Sequence, residues 1–191
     1  MKISFLLRIF LQALPIALAF IASPASAHPQ TSTEKSWDQT SNWLQLVPFA
    51  AGAGVAAYND DWEGGKQLLR TSIAGELATD ALKYSFRRTS WNTRPNGEHY
   101  SFPSGHTSFA CSGAALLGER YGWQYGVPAF AVAATVGYAR VEAAKHHVRD
   151  VVAGCALSYG VSTFFVTGLG EENIYPVIGP DIIGFRWKFG Y

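Results

Sequence analysis

The chain has 191 residues, enough for one domain with its own core and too few for two comfortable ones. Its formal net charge is +1, because 15 basic side chains are balanced by 14 acidic ones. Bulk charge therefore does not indicate a nucleic acid or another polyanion as a partner. Any site for an anion must be built locally.

The first 27 residues have the organisation of a signal peptide. Lys2 and Arg8 supply positive charge, residues 10–21 form an apolar run, and Ala25-Ser26-Ala27 offers small residues for cleavage. An uncleaved membrane anchor is the alternative, since the apolar runs of the two kinds of segment overlap in length. Under either interpretation we expect the rest of the chain in the periplasm or cell envelope, with membrane association.

A polar segment follows, and then a series of helical patterns. Residues 28–42 are rich in Ser and Thr and predict a mobile leader, and residues 43–170 are expected to form the folded domain. Residues 65–86 combine charge with an apolar stripe at Leu69, Ile73, Leu77 and Ala81, which is typical of an amphipathic helix. Helices are predicted at residues 43–58, 65–86, 104–120, 128–141 and 150–169.

These elements predict an all-α fold, a compact bundle of about five to six helices. Residues 150–169 form a long uncharged run, which fits either a membrane span or the central helix of a bundle. Residues 183–191 alternate apolar and polar side chains, as a strand does, so residues 171–191 are expected to form a short extended tail.

Two cysteines, Cys111 and Cys155, lie in apolar segments rich in Ala and Gly. An exported chain enters an oxidising compartment, where a disulfide is permitted but not required. We interpret both residues as small buried core residues, since unpaired cysteine is among the most buried residue types.

The first cluster of residues that could bind a ligand or react is Pro103-Ser104-Gly105-His106, where a loop enters a helix. Ser104 is suited to cap that helix, and its first turn presents unpaired N–H groups and the positive end of the helix dipole. Gly105 has no side chain, so an anion could approach the main chain closely. This junction supplies half of a phosphate site.

The second cluster is Arg140, then His146, then Asp150. A spacing of four residues places His146 and Asp150 on one helix face, where the carboxylate could orient the imidazole. The planar guanidinium of Arg140 suits phosphate oxygens. Singly, each of these residues has an ordinary explanation at a helix end, but their joint occurrence favours a site. The set lacks the compact ligand spacing of a zinc site, so no metal and no cofactor are expected.

These residues resemble the type 2 phosphatidic acid phosphatase superfamily, which includes bacterial acid phosphatases and vanadium haloperoxidases. Its motifs are Lys, six residues, then Arg-Pro; Pro-Ser-Gly-His; and Ser-Arg, five residues, His, three residues, Asp. The resemblance extends over about residues 65–160. The second motif is intact at residues 103–106, and Arg140, His146 and Asp150 match the third, with Ala139 in place of its Ser.

The resemblance implies an all-helical, metal-free phosphatase and a role for each matched residue. His146 corresponds to the nucleophile, His106 to the general acid, and Asp150 to the residue that orients His146. Ser104, Gly105 and Arg140 correspond to phosphate-binding residues.

The first motif is imperfect. Strict spacing from Arg94-Pro95 points to Arg87, whereas Lys83 lies in a sequence context closer to that of the family. A four-residue insertion would reconcile the two, because loop closure costs little more as a loop lengthens. We therefore predict Lys83 and Arg94 as phosphate ligands, with Arg87 as the alternative to Lys83.

The predicted function is hydrolysis of a phosphate monoester or diphosphate, lipid-linked, through a phosphohistidine. Diacylglycerol phosphates, undecaprenyl diphosphate, phosphorylated lipid A and soluble esters all present the same group. The alternatives are a vanadate-dependent haloperoxidase and a non-catalytic envelope protein with the same fold. The expected partners are the phosphorylated substrate and a membrane surface, and no nucleic acid.

Overall fold

A computed structural model describes residues 29–169, 173–179 and 182–188. The predicted signal peptide lies outside these residues. In the described ranges the helices are α1 Ser32–Leu44, α2 Leu46–Tyr58, α3 Trp62–Phe86, α4 Gly105–Tyr121, α5 Trp123–Glu142 and α6 Val148–Phe165, with a short 3-10 helix at Ser90–Asn92. The predicted all-α bundle is confirmed.

The central helix of the bundle is α4, which packs against α2, α3, α5 and α6. Its interior side chains are small, and Ala110, Ala114 and Ala115 are fully buried beside Leu116. Small residues let neighbouring backbones approach: a Cβ built on Gly113 would lie 2.6 Å from the carbonyl carbon of Pro48 in α2. In the described part of the chain no helix combines the length and apolarity needed to cross a bilayer.

Helix α3 forms where the amphipathic pattern predicted it, but its apolar stripe faces outward. Leu69, Ile73 and Leu77 are 53%, 59% and 65% exposed. The buried face is polar and small: it consists of Gly64, Gln67, Leu68, Thr71, Ser72, Gly75 and Thr79. An amphipathic period identifies two faces but does not say which one is inside, and in α3 the apolar stripe is the outer face.

Several buried hydroxyl groups pair with one another along this inner face. The Oγ atoms of Ser72 and Ser112 lie 2.9 Å apart, and Thr79 Oγ1 lies 2.7 Å from Ser108 Oγ. Ser108 Oγ also lies 2.7 Å from Ser158 Oγ of α6. Because each hydroxyl both donates and accepts, such pairs remove the cost of burying polar groups between α3, α4 and α6.

Cys111 of α4 and Cys155 of α6 form a disulfide with a Cα–Cα distance of 5.2 Å. The prediction of two unlinked core residues is therefore corrected in part. Cys111 is buried, as expected, but the crossing of the two helices also brings the two thiols together. Sequence spacing does not encode that crossing.

The predicted mobile leader is also corrected, because α1 occupies most of it. Thr31 Oγ1 accepts a hydrogen bond from the backbone N–H of Glu34 at 3.2 Å, and the Glu34 carboxylate accepts one from Thr31 N–H at 2.7 Å. This reciprocal capping box starts a helix in a segment whose composition is that of a loop. Trp37 then packs edge-on against Tyr138 of α5, with ring centroids 5.6 Å apart.

The predicted extended tail contains two strands, β1 Asn173–Gly179 and β2 Ile182–Lys188. They pair antiparallel, with Asn173 opposite Lys188 and Gly179 opposite Ile182. The second strand coincides with the predicted alternation. The Pro180-Asp181 dipeptide between the strands is a turn signal that could have predicted its partner.

Candidate active site

The two clusters found in the sequence meet where α4 and α6 begin. Ser104 is the N-cap of α4, and its Oγ accepts a hydrogen bond from Thr107 N–H at 3.4 Å. Its own N–H donates to the carbonyl oxygen of Asp150 at 2.9 Å, which ties the two segments together. A Cβ built on Gly154 would lie 2.5 Å from the Ser104 carbonyl oxygen, so this contact requires glycine. Gly105 opens the helix directly beneath the cap.

His146 is 2% exposed and is held by a main-chain acceptor. Its Nδ1 lies 2.7 Å from the carbonyl oxygen of Ser101, so Nδ1 carries the proton and Nε2 keeps its lone pair. Asp150 was expected to orient the imidazole directly, but its Oδ2 lies 3.8 Å from Nδ1. The nearer acceptor is Ser101, a residue absent from the predicted site.

Asp150 acts on that arrangement through Ser101. Its Oδ2 accepts hydrogen bonds from Ser101 Oγ at 2.6 Å and from His147 N–H at 2.9 Å. Burial raises the pKa of the Asp150 carboxyl, but contacts with His146, Ser101 and the His147 N–H outweigh burial and leave that pKa below its usual range. A buried carboxylate thus fixes the loop whose carbonyl oxygen holds His146.

The imidazole of His146 is neutral in this setting. Burial lowers the pKa of His146 to about 4; its interaction with Asp150 opposes that shift, while Arg140, Lys83 and Arg94 reinforce it. Above that pH the ring is unprotonated at Nε2, the state that a nucleophilic histidine requires.

Two predicted phosphate ligands are arginines that already have carboxylate partners. Arg140 is 4% exposed and pairs with Asp38 of α1, while its Nη1 lies 3.2 Å from Ser41 Oγ. Arg94 Nη1 donates to Glu98 Oε2 at 2.7 Å, and Arg94 N–H donates to the Glu98 carbonyl oxygen at 2.8 Å. Asp38 and Glu98 were not predicted, since isolated acidic residues in polar segments carry no distinguishing pattern.

Lys83 and Arg87 occupy different surroundings. The ammonium group of Lys83 donates to the carbonyl oxygens of Tyr100, at 3.3 Å, and Pro103, and its Cε lies 4.0 Å from a Cβ built on Gly105. Arg87 turns back on its own helix end, where its guanidinium lies 3.5 Å from the Tyr84 ring centroid. Lys83 thus reaches the Pro-Ser-Gly-His segment.

His106 lies next to α1. Its Nε2 lies 2.6 Å from Asn42 Oδ1. Burial, Arg140 and His146 all lower the pKa of His106, to about 3. Asn42 is a further site residue that the sequence did not reveal, because its segment was expected to be mobile.

The two remaining histidines near the site make local contacts with the loop. His147 Nε2 lies 3.1 Å from the Thr93 carbonyl oxygen, and His99 Nδ1 lies 3.3 Å from Asn92 Nδ2. Within the ranges that the structure describes, no three His, Cys, Asp or Glu side chains form a group suited to a metal ion.

The loop backbone is strained beside Ser101 and His146. Tyr100 has φ 65° and Ala144 has φ 54°, the left-handed region that side chains other than glycine seldom adopt. Tyr100 immediately precedes Ser101, and Ala144 lies two residues before His146. The positions of both groups are therefore set by main-chain geometry as well as by hydrogen bonds.

The assembled site places a neutral imidazole nitrogen, cationic side chains and the N-terminus of α4 around one region. Such a set can bind an oxyanion through charge and N–H donors and attack its central atom. A second imidazole, His106, lies close enough to His146 for His146 to lower its pKa. The geometry suits nucleophilic displacement at phosphorus with proton transfer.

Comparison with known proteins agrees with this chemistry. The sequence model of the PAP2 superfamily matches residues 64–173. A lipid A 4'-phosphatase of Helicobacter pylori is 24% identical over 196 residues, covering 95% of this chain and 96% of that protein. A lipid A 1-phosphatase of Porphyromonas gingivalis is 35% identical over 160 residues, covering 77% of this chain but 33% of that longer protein.

Two solved structures share the fold. LpxE from Aquifex aeolicus superposes with a TM-score of 0.51 and 21% identity, covering 68% of this chain and 81% of that one. A transmembrane PAP2-type phosphatidylglycerolphosphate phosphatase from Bacillus subtilis superposes with a TM-score of 0.50 and 23% identity, covering 71% and 75%. These likenesses concern the arrangement of the helices.

Proposed function

The chain belongs to the PAP2 superfamily and is a phosphatase, and we propose that it hydrolyses a lipid-linked phosphate monoester or diphosphate through a phosphohistidine at His146. The observation that carries this proposal is the hydrogen bond from Nδ1 to the Ser101 carbonyl oxygen at 2.7 Å. It leaves the Nε2 lone pair available to attack phosphorus.

In the first step, Nε2 of His146 forms a bond to phosphorus while the bond from phosphorus to the ester oxygen breaks. The departing oxygen takes the bonding electron pair and a proton from His106, which acts as general acid. In the second step, water attacks phosphorus and gives a proton to His106. The N–P bond breaks, and inorganic phosphate and the free imidazole are regenerated.

In both steps side chains and backbone N–H groups stabilise the negative charge on the phosphoryl oxygens. Lys83, Arg94 and Arg140 supply positive charge around the equatorial oxygens, and the capped first turn at Ser104 and Gly105 supplies N–H donors. These groups neutralise the charge that a metal ion neutralises in other phosphatases, so we propose a metal-free reaction.

Phosphate bound at this site would also change the proton affinity of His106. Together with burial, Arg140, His146 and Arg94 lower the pKa of His106 to about 3. A phosphate dianion placed among them favours the protonated imidazole, since an opposite charge nearby raises a histidine pKa. Substrate binding thereby prepares the acid that the first step consumes.

A phosphorylated lipid is the proposed substrate class, and two observations support it. The matched relatives are named as lipid A phosphatases. The exposed stripe of Leu69, Ile73 and Leu77 offers an apolar surface on α3, the helix that also carries Lys83. We therefore propose a membrane surface as partner and the periplasm or cell envelope as location.

A panel of substrates with measured phosphate release tests the function. Purified protein in detergent is offered lipid A, a diacylglycerol phosphate, undecaprenyl diphosphate and 4-nitrophenyl phosphate. We expect release from at least one lipid at a higher kcat/KM than from the soluble ester, persistence of activity in EDTA, and inhibition by vanadate. Loss of activity in EDTA with recovery in zinc or magnesium would contradict the metal-free mechanism.

A further inference from the structure

Helix α1 reaches two of the proposed catalytic and phosphate-binding side chains with residues on one face. Asp38 pairs with Arg140, Ser41 Oγ lies 3.2 Å from Arg140 Nη1, and Asn42 Oδ1 lies 2.6 Å from His106 Nε2. The helix is anchored by its capping box and by the contact of Trp37 with Tyr138. A segment outside the family motifs therefore contributes to the site.

The surroundings of His106 create a specific chemical problem. Arg140 of α5, His146 before α6 and Arg94 of the loop all oppose a positive charge on this ring, and Asp38 of α1 favours it. A general acid must nevertheless carry a transferable proton at a defined nitrogen. A neutral imidazole has two tautomers, and a fixed hydrogen bond at one nitrogen selects between them.

We propose, on the basis of the proposed function, that Asn42 is a positioning residue whose Oδ1 accepts a hydrogen bond from Nε2–H of His106 and thereby makes Nδ1 the nitrogen that exchanges protons with the reacting oxygens. In the first step protonated His106 gives its Nδ1 proton to the departing ester oxygen, while the Nε2 proton stays on the ring and remains hydrogen-bonded to Asn42 Oδ1. In the second step Nδ1 takes the proton of the attacking water.

An amide suits this task better than a carboxylate would. The oxygen of Asn42 has no charge and takes up no proton at working pH, so it fixes the tautomer without trapping the ring as an imidazolium ion. A carboxylate at the same place would stabilise the charged ring and weaken it as an acid.

The test compares two esters that differ in their need for a general acid. A 4-nitrophenolate ion departs readily without a proton, whereas an alkoxide does not. We expect Asn42→Leu to lower kcat/KM for an alkyl phosphate about tenfold to a hundredfold more than for 4-nitrophenyl phosphate. This ratio does not depend on the fraction of protein that is folded. Gln39→Leu, an exposed change on the same helix, is the matched control and should leave the ratio unchanged.

Asn42→Asp provides a second readout that a merely structural role would not move. The carboxylate should shift the limb of the alkyl phosphate pH profile that belongs to His106 upward by about one pH unit. Equal losses on both esters, or an unmoved limb, would overturn the assignment of Asn42 while leaving the phosphatase intact. Absence of turnover by the wild-type protein on every ester and lipid would overturn the proposed function and this inference with it.

Discussion

Ser101 holds His146 through its carbonyl oxygen and Asp150 through its hydroxyl group. The Nδ1 atom of His146 lies 2.7 Å from Ser101 O, and Ser101 Oγ lies 2.6 Å from Asp150 Oδ2. One residue thus couples the imidazole to the carboxylate, which itself lies 3.8 Å from Nδ1. The orientation of the proposed nucleophile depends on a loop backbone that the carboxylate secures.

Replacement of His146 by alanine should abolish turnover without unfolding the protein. We expect kcat/KM to fall at least about ten-thousandfold, the scale for loss of a nucleophile. Rapid quenching with a labelled substrate should trap an acid-labile, base-stable phosphoramidate on wild-type protein and none on His146→Ala. His99→Ala, in the exposed loop, is the control and should retain both signals. Retention of the phosphoramidate by His146→Ala would assign the nucleophile elsewhere.

Lys83 and Arg87 can be distinguished by paired alanine substitutions. Lys83 contacts the carbonyl oxygens of Tyr100 and Pro103, whereas Arg87 stacks on Tyr84. We expect Lys83→Ala to lower kcat/KM about a hundredfold, the scale of one lost charge-assisted contact in the transition state. Arg87→Ala should change it less than about threefold. The opposite ranking would restore the strict spacing of the first motif.

The alkaline side of the pH profile should report Lys83. Burial lowers the pKa of Lys83 to about 8, and the nearby Arg94 acts in the same direction. The ammonium form, which we propose binds phosphate, therefore predominates below that pH and is lost as the pH rises through it, so kcat/KM should decline above about pH 8. In Lys83→Arg the guanidinium stays charged, and this limb should disappear. An unchanged limb in Lys83→Arg would assign the titration to another group.

The disulfide should contribute to stability and little to catalysis. Cys111 and Cys155 enclose a long loop between α4 and α6, and such a link typically stabilises a protein by about 2–4 kcal/mol. Cys111→Ala, Cys155→Ala and the double variant should lower the free energy of urea unfolding by similar amounts, with kcat/KM nearly unchanged at 25 °C. Additive losses from the two single variants would show that the cysteines contribute separately.

The sequence predicted those parts of the site that depend on local rules. Ser104 marked the start of α4 because capping is a property of residue type, and α4 begins one residue later. The spacing of His146 and Asp150 correctly indicated that both lie at the entry of α6, but His146 precedes the N-cap residue His147, so the two residues do not share a helix face. The motifs indicated the superfamily and the helical patterns indicated the all-α bundle, and both predictions are confirmed.

Other parts depend on tertiary contacts that residue patterns do not encode. Ser101 acts on His146 through its backbone, which every residue type possesses. Asn42 belongs to a polar segment that becomes a helix through its capping box and its packing on α5. The stripe at Leu69, Ile73 and Leu77 has the predicted helical period, but the period does not say which face is buried, and hydroxyl pairs between helices lie on the inner face of α3.

The contact at Gly154 sets how closely the start of α4 approaches α6. The Ser104 carbonyl oxygen would lie 2.5 Å from a Cβ at this position, so a hydrogen atom fills the space where any other residue has a carbon. Ser104 and Asp150 can share a main-chain hydrogen bond only because α4 and α6 meet this closely. A methyl group at Gly154 would wedge the two helix starts apart. Adapting this scaffold to a bulkier oxyanion would therefore begin at this uncharged position, before any change to the arginines or histidines.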